Sequence, residues 1–214
     1  GDMIWHEIFG IEIGVEALLS PTHLILAVGM TLIISGPFRA GWRRRPDQNS
    51  PVPGWFALLP QLLSLTFMWS VWSFLTQFAH PLVDPWAASG YRPPGPRGLT
   101  LLRMSLGITG FFLQTGLMMG VVLYTMRRWT LPLGSLALVF GLNAAFMSLM
   151  HDRYHLIPGA ALAGLGADLM IRWLKPSLKR PGSLRLFALT IPMVYYALYY
   201  MVLIVTHGLE WSVH

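Results

Sequence analysis

The chain has 214 residues, of which 54% are hydrophobic and only 11% charged, against roughly 25% charged in an ordinary soluble domain. With 13% aromatic residues and a mean hydropathy of +0.55, that balance excludes a water-soluble globular domain. The absence of cysteine excludes a disulfide framework, a thiolate metal site and a cysteine nucleophile, and the formal charge of +6 reads as membrane topology before it reads as nucleic-acid binding.

In chain order, residues 1–16 form an acidic amino-terminal segment holding Asp2, Glu7, Glu12 and Glu16. A secretory signal would need a basic start and a small-residue cleavage site, so the first apolar run is expected to be retained. Six predominantly apolar stretches follow, Ala17 to Gly36, Trp55 to His80, Leu102 to Met126, Leu131 to Met150, Ile157 to Leu174 and Leu184 to Thr206, each near the length of about 20 residues that crosses a bilayer core as helix. Pro37, the prolines between Arg43 and Gly54, the Pro and Gly of residues 80–98, and Pro181 with Gly182 punctuate them. The expected fold is all-α: a polytopic integral membrane bundle of about six transmembrane helices over residues 17–207. Residues 208–214 end in Trp211 to His214 and read as the start of a further, truncated helix.

Orientation follows from Lys and Arg, which accumulate in cytoplasmic loops. The loops after the first, third and fifth spans, with the span ends that border them, hold Arg39, Arg43, Arg44, Arg45, Arg127, Arg128, Arg172, Lys175, Lys179, Arg180 and Arg185, and only Arg92, Arg97, Arg103 and Arg153 lie opposite. The amino terminus is therefore expected outside a bacterial cytoplasmic membrane. That assignment puts His6, His80, His151, His155, His207 and His214 at or near the outer surface, with His23 inside a span.

Chemistry is expected at that outer end. His151 and His155, continued backwards by Met147 and Asn143, fall four residues apart, so a helix would stack them on one face where two imidazoles can grip one metal. Glu16, Ser20 and His23 recur at helical spacing in the first span, with Pro21 interrupting its hydrogen bonds. The second span offers Ser70, Ser73, Gln77 and His80, after which Pro81 turns the chain and returns Asp84. Gln114 fits an interhelical hydrogen bond. Asp168, buried among small residues of the fifth span, is expected to pair with Arg172 one turn on. Tyr195, Tyr196, Tyr199 and Tyr200 make a stripe suited to packing, or to the wall of a quinone, pigment or substrate site.

The expected function is a membrane metalloenzyme, with His23, His80, His151 and His155 as metal ligands and Glu16 and Asp84 as catalytic carboxylates, one of them a general base. Ligands of these types suit copper, iron or zinc, for oxidation or for hydrolysis by metal-activated water, acting on an apolar or amphiphilic molecule arriving through the lipid bilayer. The alternatives are a metal or haem handling or electron-transfer subunit, in which His23 and a histidine of the fourth span face each other across a haem, and a non-catalytic scaffold bound to other membrane subunits. Each nucleic-acid role is set aside, because the basic residues belong to topology.

Overall fold

In a computed structural model, residues 2–10, 18–44, 54–88, 97–149 and 151–206 are described. They form eight named α-helices: α1 (Asp2–Phe9), α2 (Pro21–Ile34), α3 (Gly36–Arg43), α4 (Trp55–Leu75), α5 (Arg97–Arg128), α6 (Ser135–Leu149), α7 (Ile157–Leu174) and α8 (Pro181–Val205). Short 3-10 turns at Gln77–Ala79 and Tyr154–Leu156 follow α4 and precede α7. Among the described residues there is no β-strand, only an isolated bridge between Ser177 and Arg180.

Four helices, α4, α5, α7 (with its preceding turn) and α8, are long and apolar enough to cross a membrane, and α2 with α3 makes a fifth if that pair, bent by 47°, counts as one span. The bend has a local cause. Pro37 lacks the N–H that would continue the helix, Ser35 Oγ–H donates to the Leu32 carbonyl at 2.8 Å, and Ser64 of α4 donates to the Ile34 carbonyl. At 15 residues α6 spans about 22 Å, short of a bilayer core of about 30 Å. It is held inside the bundle, between α4 and α7.

The tightest packing joins α6 to α7, then α7 to α8 and α4 to α6. Small residues make this possible, because Gly159, Ala160, Ala163, Gly164 and Ala167 form the buried face of α7. The core they close includes Leu62, Trp69, Met118, Val122, Val139, Phe140, Phe187 and Ile191. Large apolar side chains also cover the outside, among them Ile25, Ile33, Phe56, Phe112, Trp173 and Met193. On a monomer in water that surface would be a liability; against lipid it is the solvated face.

Asp168 corrects one expectation. Instead of pairing with Arg172, its carboxylate accepts the backbone N–H of Gly134 at 2.9 Å, of Leu136 at 3.1 and 3.2 Å, and of Ala137 at 3.3 Å. It is the N-cap of α6, supplied by α7. A helix start leaves its first N–H groups without partners and carries partial positive charge, so an anion 3% exposed is stabilised there. Arg172 acts on it through its field alone.

Candidate functional site

The chain ends of α4, α6 and α8 and the starts of α5 and α7 meet at one end of the bundle, the histidine end; Arg127, Arg128, Arg172 and the α7–α8 connection lie at the other, the basic end. The first feature of the histidine end is the start of α2. Ser20 has extended backbone, φ −62° and ψ 149°, and accepts the His23 N–H at 3.4 Å; its Oγ also lies 2.8 Å from His23 Nδ1. The sequence expectation placed Pro21 as an irregularity within a continuous helix. It stands instead in the first turn of a new one, where a missing N–H costs nothing.

His23 then projects to a cavity of about 320 Å³ between α2, α4 and α6, walled by Leu26, Ala27, Met30, Phe67, Phe74 and Phe146 among others. Among the described residues it is the only ionisable side chain on that wall, and Ser70 the only hydroxyl. Behind Ser70 runs a buried ladder. Asn143 Nδ2 donates to Ser70 Oγ at 3.1 Å and to Ser73 Oγ at 3.4 Å, Ser73 Oγ–H donates to Gln114 Oε1 at 3.4 Å, and Gln114 Nε2 donates to Thr76 Oγ1 at 3.0 Å. Three helices, α4, α5 and α6, are thereby pinned together by side-chain amides in an apolar interior, where an unpaired amide costs several kcal/mol. The expected interhelical role of Gln114 is met here.

Gln114 also borders a second, much smaller pocket with Trp69, His80, Met118, Tyr195 and Tyr196. Trp69 Nε1 is buried there with no hydrogen-bond partner among the described residues. His80 is 3% exposed, and its Nδ1 accepts the Leu82 N–H at 3.1 Å, which leaves the ring proton on Nε2. Its carbonyl accepts the N–H groups of Val83 and Asp84 at 2.9 and 3.0 Å, so the turn after Pro81 is built around this one residue. Burial, helped by the nearby charge of His151, lowers the His80 pKa to about 3, so the ring is neutral throughout the physiological range. For Asp84, burial pushes the carboxyl above the ordinary carboxylate value, while His151 and Arg153 pull it back.

The turn is braced from two sides. Gly110 of α5 approaches so closely that a Cβ there would lie on the Ala79 carbonyl oxygen, and Tyr199 O–H of α8 donates to the Pro81 carbonyl at 2.9 Å. Tyr196 donates to the Phe111 carbonyl at 3.3 Å and stands edge-on to the Phe111 ring. The tyrosine stripe therefore packs α8 onto α5 and onto the His80 turn.

His151 and His155 are not one turn apart on a helix. α6 ends at Leu149, Asp152 takes a left-handed φ of 52°, and His155 belongs to the separate 3-10 turn that leads into α7. Both histidines are exposed, while Asn143 and Met147, the inner part of the expected stripe, remain helical and buried. Of the predicted site residues, then, His80, Asp84 and His151 are near enough to influence one another; His23 faces the separate apolar cavity. Glu16 lies outside the described residues, as do His207 and His214. Among the described residues no three His, Asp or Glu side chains form a group able to hold a metal ion. The link that sequence reasoning missed is Ser70–Asn143: both residues were singled out, on different stripes, and their pairing depends on how α4 and α6 pack.

Compared with protein-family models, with curated proteins and with solved structures, the chain matches none of them.

Proposed function

We propose that the protein is a six-span protein of the bacterial cytoplasmic membrane with its amino terminus outside, and that its histidine end binds and transforms an apolar or amphiphilic molecule entering sideways from the bilayer. The observation that carries this reading is the His23 cavity as the described residues line it: apolar walls from α2, α4 and α6, one imidazole held by Ser20, and one hydroxyl, Ser70, at the head of a buried polar ladder. Binding sites for small molecules have this composition, mostly apolar with a few placed polar groups. In this reading the walls hold the hydrocarbon part, and His23 is the acid or base that meets the polar part. Ala27→Phe, which fills the cavity from a residue 4% exposed, is expected to weaken binding of a fluorescent fatty acid in detergent at least about tenfold, the scale of a blocked apolar pocket. Unchanged affinity would contradict the reading.

A metal centre for oxidation or hydrolysis is a second reading, resting on Asp84 and His151, whose charges act on one another, although no three His, Asp or Glu side chains among the described residues form a ligand group. His80 would first have to give up its bond to the Leu82 N–H, because Nδ1 accepts that hydrogen and Nε2 carries the ring proton, which leaves no lone pair for a metal. Copper, iron or zinc would be held there, with Asp84 as ligand or base, and the haem-handling and scaffold roles remain the alternatives. Elemental analysis of untagged protein is expected to give about one metal equivalent, lost in His151→Ala; metal-free protein that takes up none when it is added would sink this reading and leave the cavity reading standing.

A further inference from the structure

We infer that the groove at the basic end, between the last turn of α5 and the connection from α7 to α8, is a binding site for an anionic phospholipid. The groove holds about 500 Å³ and is lined by Leu123, Met126, Arg127, Pro176, Ser177, Leu178, Lys179 and Leu184. Its chemistry is divided: aliphatic side chains on the helices, two cations and a hydroxyl where the helices end. A phospholipid has the same division, hydrocarbon below and phosphate oxygens above, and a free anion would leave the leucine and methionine walls unused.

Among the described residues no acidic side chain lines the groove, and Asp168, the carboxylate described at this end, already accepts three backbone N–H groups of the α6 start. The connection itself is shaped for the interface. Lys175 takes a left-handed φ of 45°, Ser183 donates to the Leu174 carbonyl, and the Arg180 N–H donates to the Ser177 carbonyl at 2.9 Å. This tight turn presents Leu178, 81% exposed, beside Lys179. Trp173, equally exposed, precedes it, and an indole at this level anchors a helix among headgroups. Basic pockets between spans on the basic side of a membrane protein meet the leaflet richest in anionic headgroups.

The test uses full-length protein in mixed micelles, read by native mass spectrometry. Phosphatidylglycerol is expected to be retained over phosphatidylcholine by wild type. Arg127→Gln with Lys179→Gln is expected to weaken that retention about thirtyfold, the value of two cations near a lipid surface, whereas Arg39→Gln with Arg43→Gln, cations of the same end outside the groove, leaves it unchanged. On wild type alone, a photoreactive phosphatidylglycerol is expected to crosslink to residues 123–127 and 176–184, so the proposal stays testable if the double variant does not fold. Equal retention of the two lipids, equal loss in both double variants, crosslinks elsewhere, or competition by inorganic phosphate at millimolar concentration would each overturn it, the last by marking a phosphate site without a lipid.

Discussion

Gly164→Ala is expected to lower the stability of the bundle by about 3 kcal/mol, at the upper end of what overpacking costs. A Cβ on residue 164 of α7 would lie 2.3 Å from the Leu136 carbonyl oxygen and 2.6 Å from the Ala137 Cα of α6. Both are backbone atoms, so no side chain can rotate away and the two helices must separate. Separation loosens the most extensively packed helix pair among the described residues and moves the N–H groups of α6 off the Asp168 carboxylate. Gly116→Ala, where a Cβ meets nothing within 4 Å, is the matched control; by helix propensity it is expected to be neutral or stabilising by up to about 1 kcal/mol. Thermal unfolding in detergent, followed by circular dichroism, checks the pair. Equal melting temperatures for Gly164→Ala and wild type would refute the close α6–α7 approach.

Asp168→Ala is expected to cost about 3 kcal/mol, because it leaves N–H groups of Gly134, Leu136 and Ala137 without their charged acceptor in a site water does not reach. Asp168→Asn keeps one oxygen but turns an N–H₂ towards other donors, so the order of stability is wild type, then Asn, then Ala. Arg172→Ala removes only a field and is expected to cost under about 1 kcal/mol. Hydrogen exchange at the α6 amides would rise in Asp168→Ala before exchange elsewhere does. Equal effects of Asp168→Ala and Arg172→Ala would restore the ion pair that the sequence spacing suggests.

What the sequence makes legible here is length and punctuation. Each of the six apolar stretches contains a helix, and Pro37, Pro81 and Pro181 stand where chains turn or helices start, because an apolar run sets span length and proline acts locally. Faces are another matter. α2, α4 and α6 are apolar nearly all round, so no amphipathic period says which side meets the bundle, and the pairing of Ser70 with Asn143 or of Asp168 with the α6 amides needs contacts 73 and 32 residues apart. The break between His151 and His155 was hidden for a different reason. Nothing in residues 150–153 is Gly or Pro, yet Asp152 takes a left-handed conformation that Asp tolerates better than most side chains, and four-residue spacing alone cannot reveal a turn.

The placement of candidate chemistry changes accordingly. The sequence gathers its histidines into a single centre by assuming continuous helices at Pro21 and at Asp152; ending the helices at those points separates a hydrocarbon-walled cavity at His23 from a compact polar turn at His80. The Ser70 to Gln114 ladder is the physical connection between the two, and it gives the buried amides a reason to be where they are.

The cavity claim is tested most directly by a photoreactive fatty acid incubated with the wild-type protein in lipid nanodiscs, with its crosslinks mapped by peptide mass spectrometry. Crosslinks concentrated at Met30, Phe67, Phe74 and Phe146, and displaced when Ala27 is replaced by Phe, are the predicted result. Crosslinks spread over the open lipid-facing surface, at Ile25, Ile33 and Phe112 as often as in the cavity, would show that the histidine end holds no such molecule.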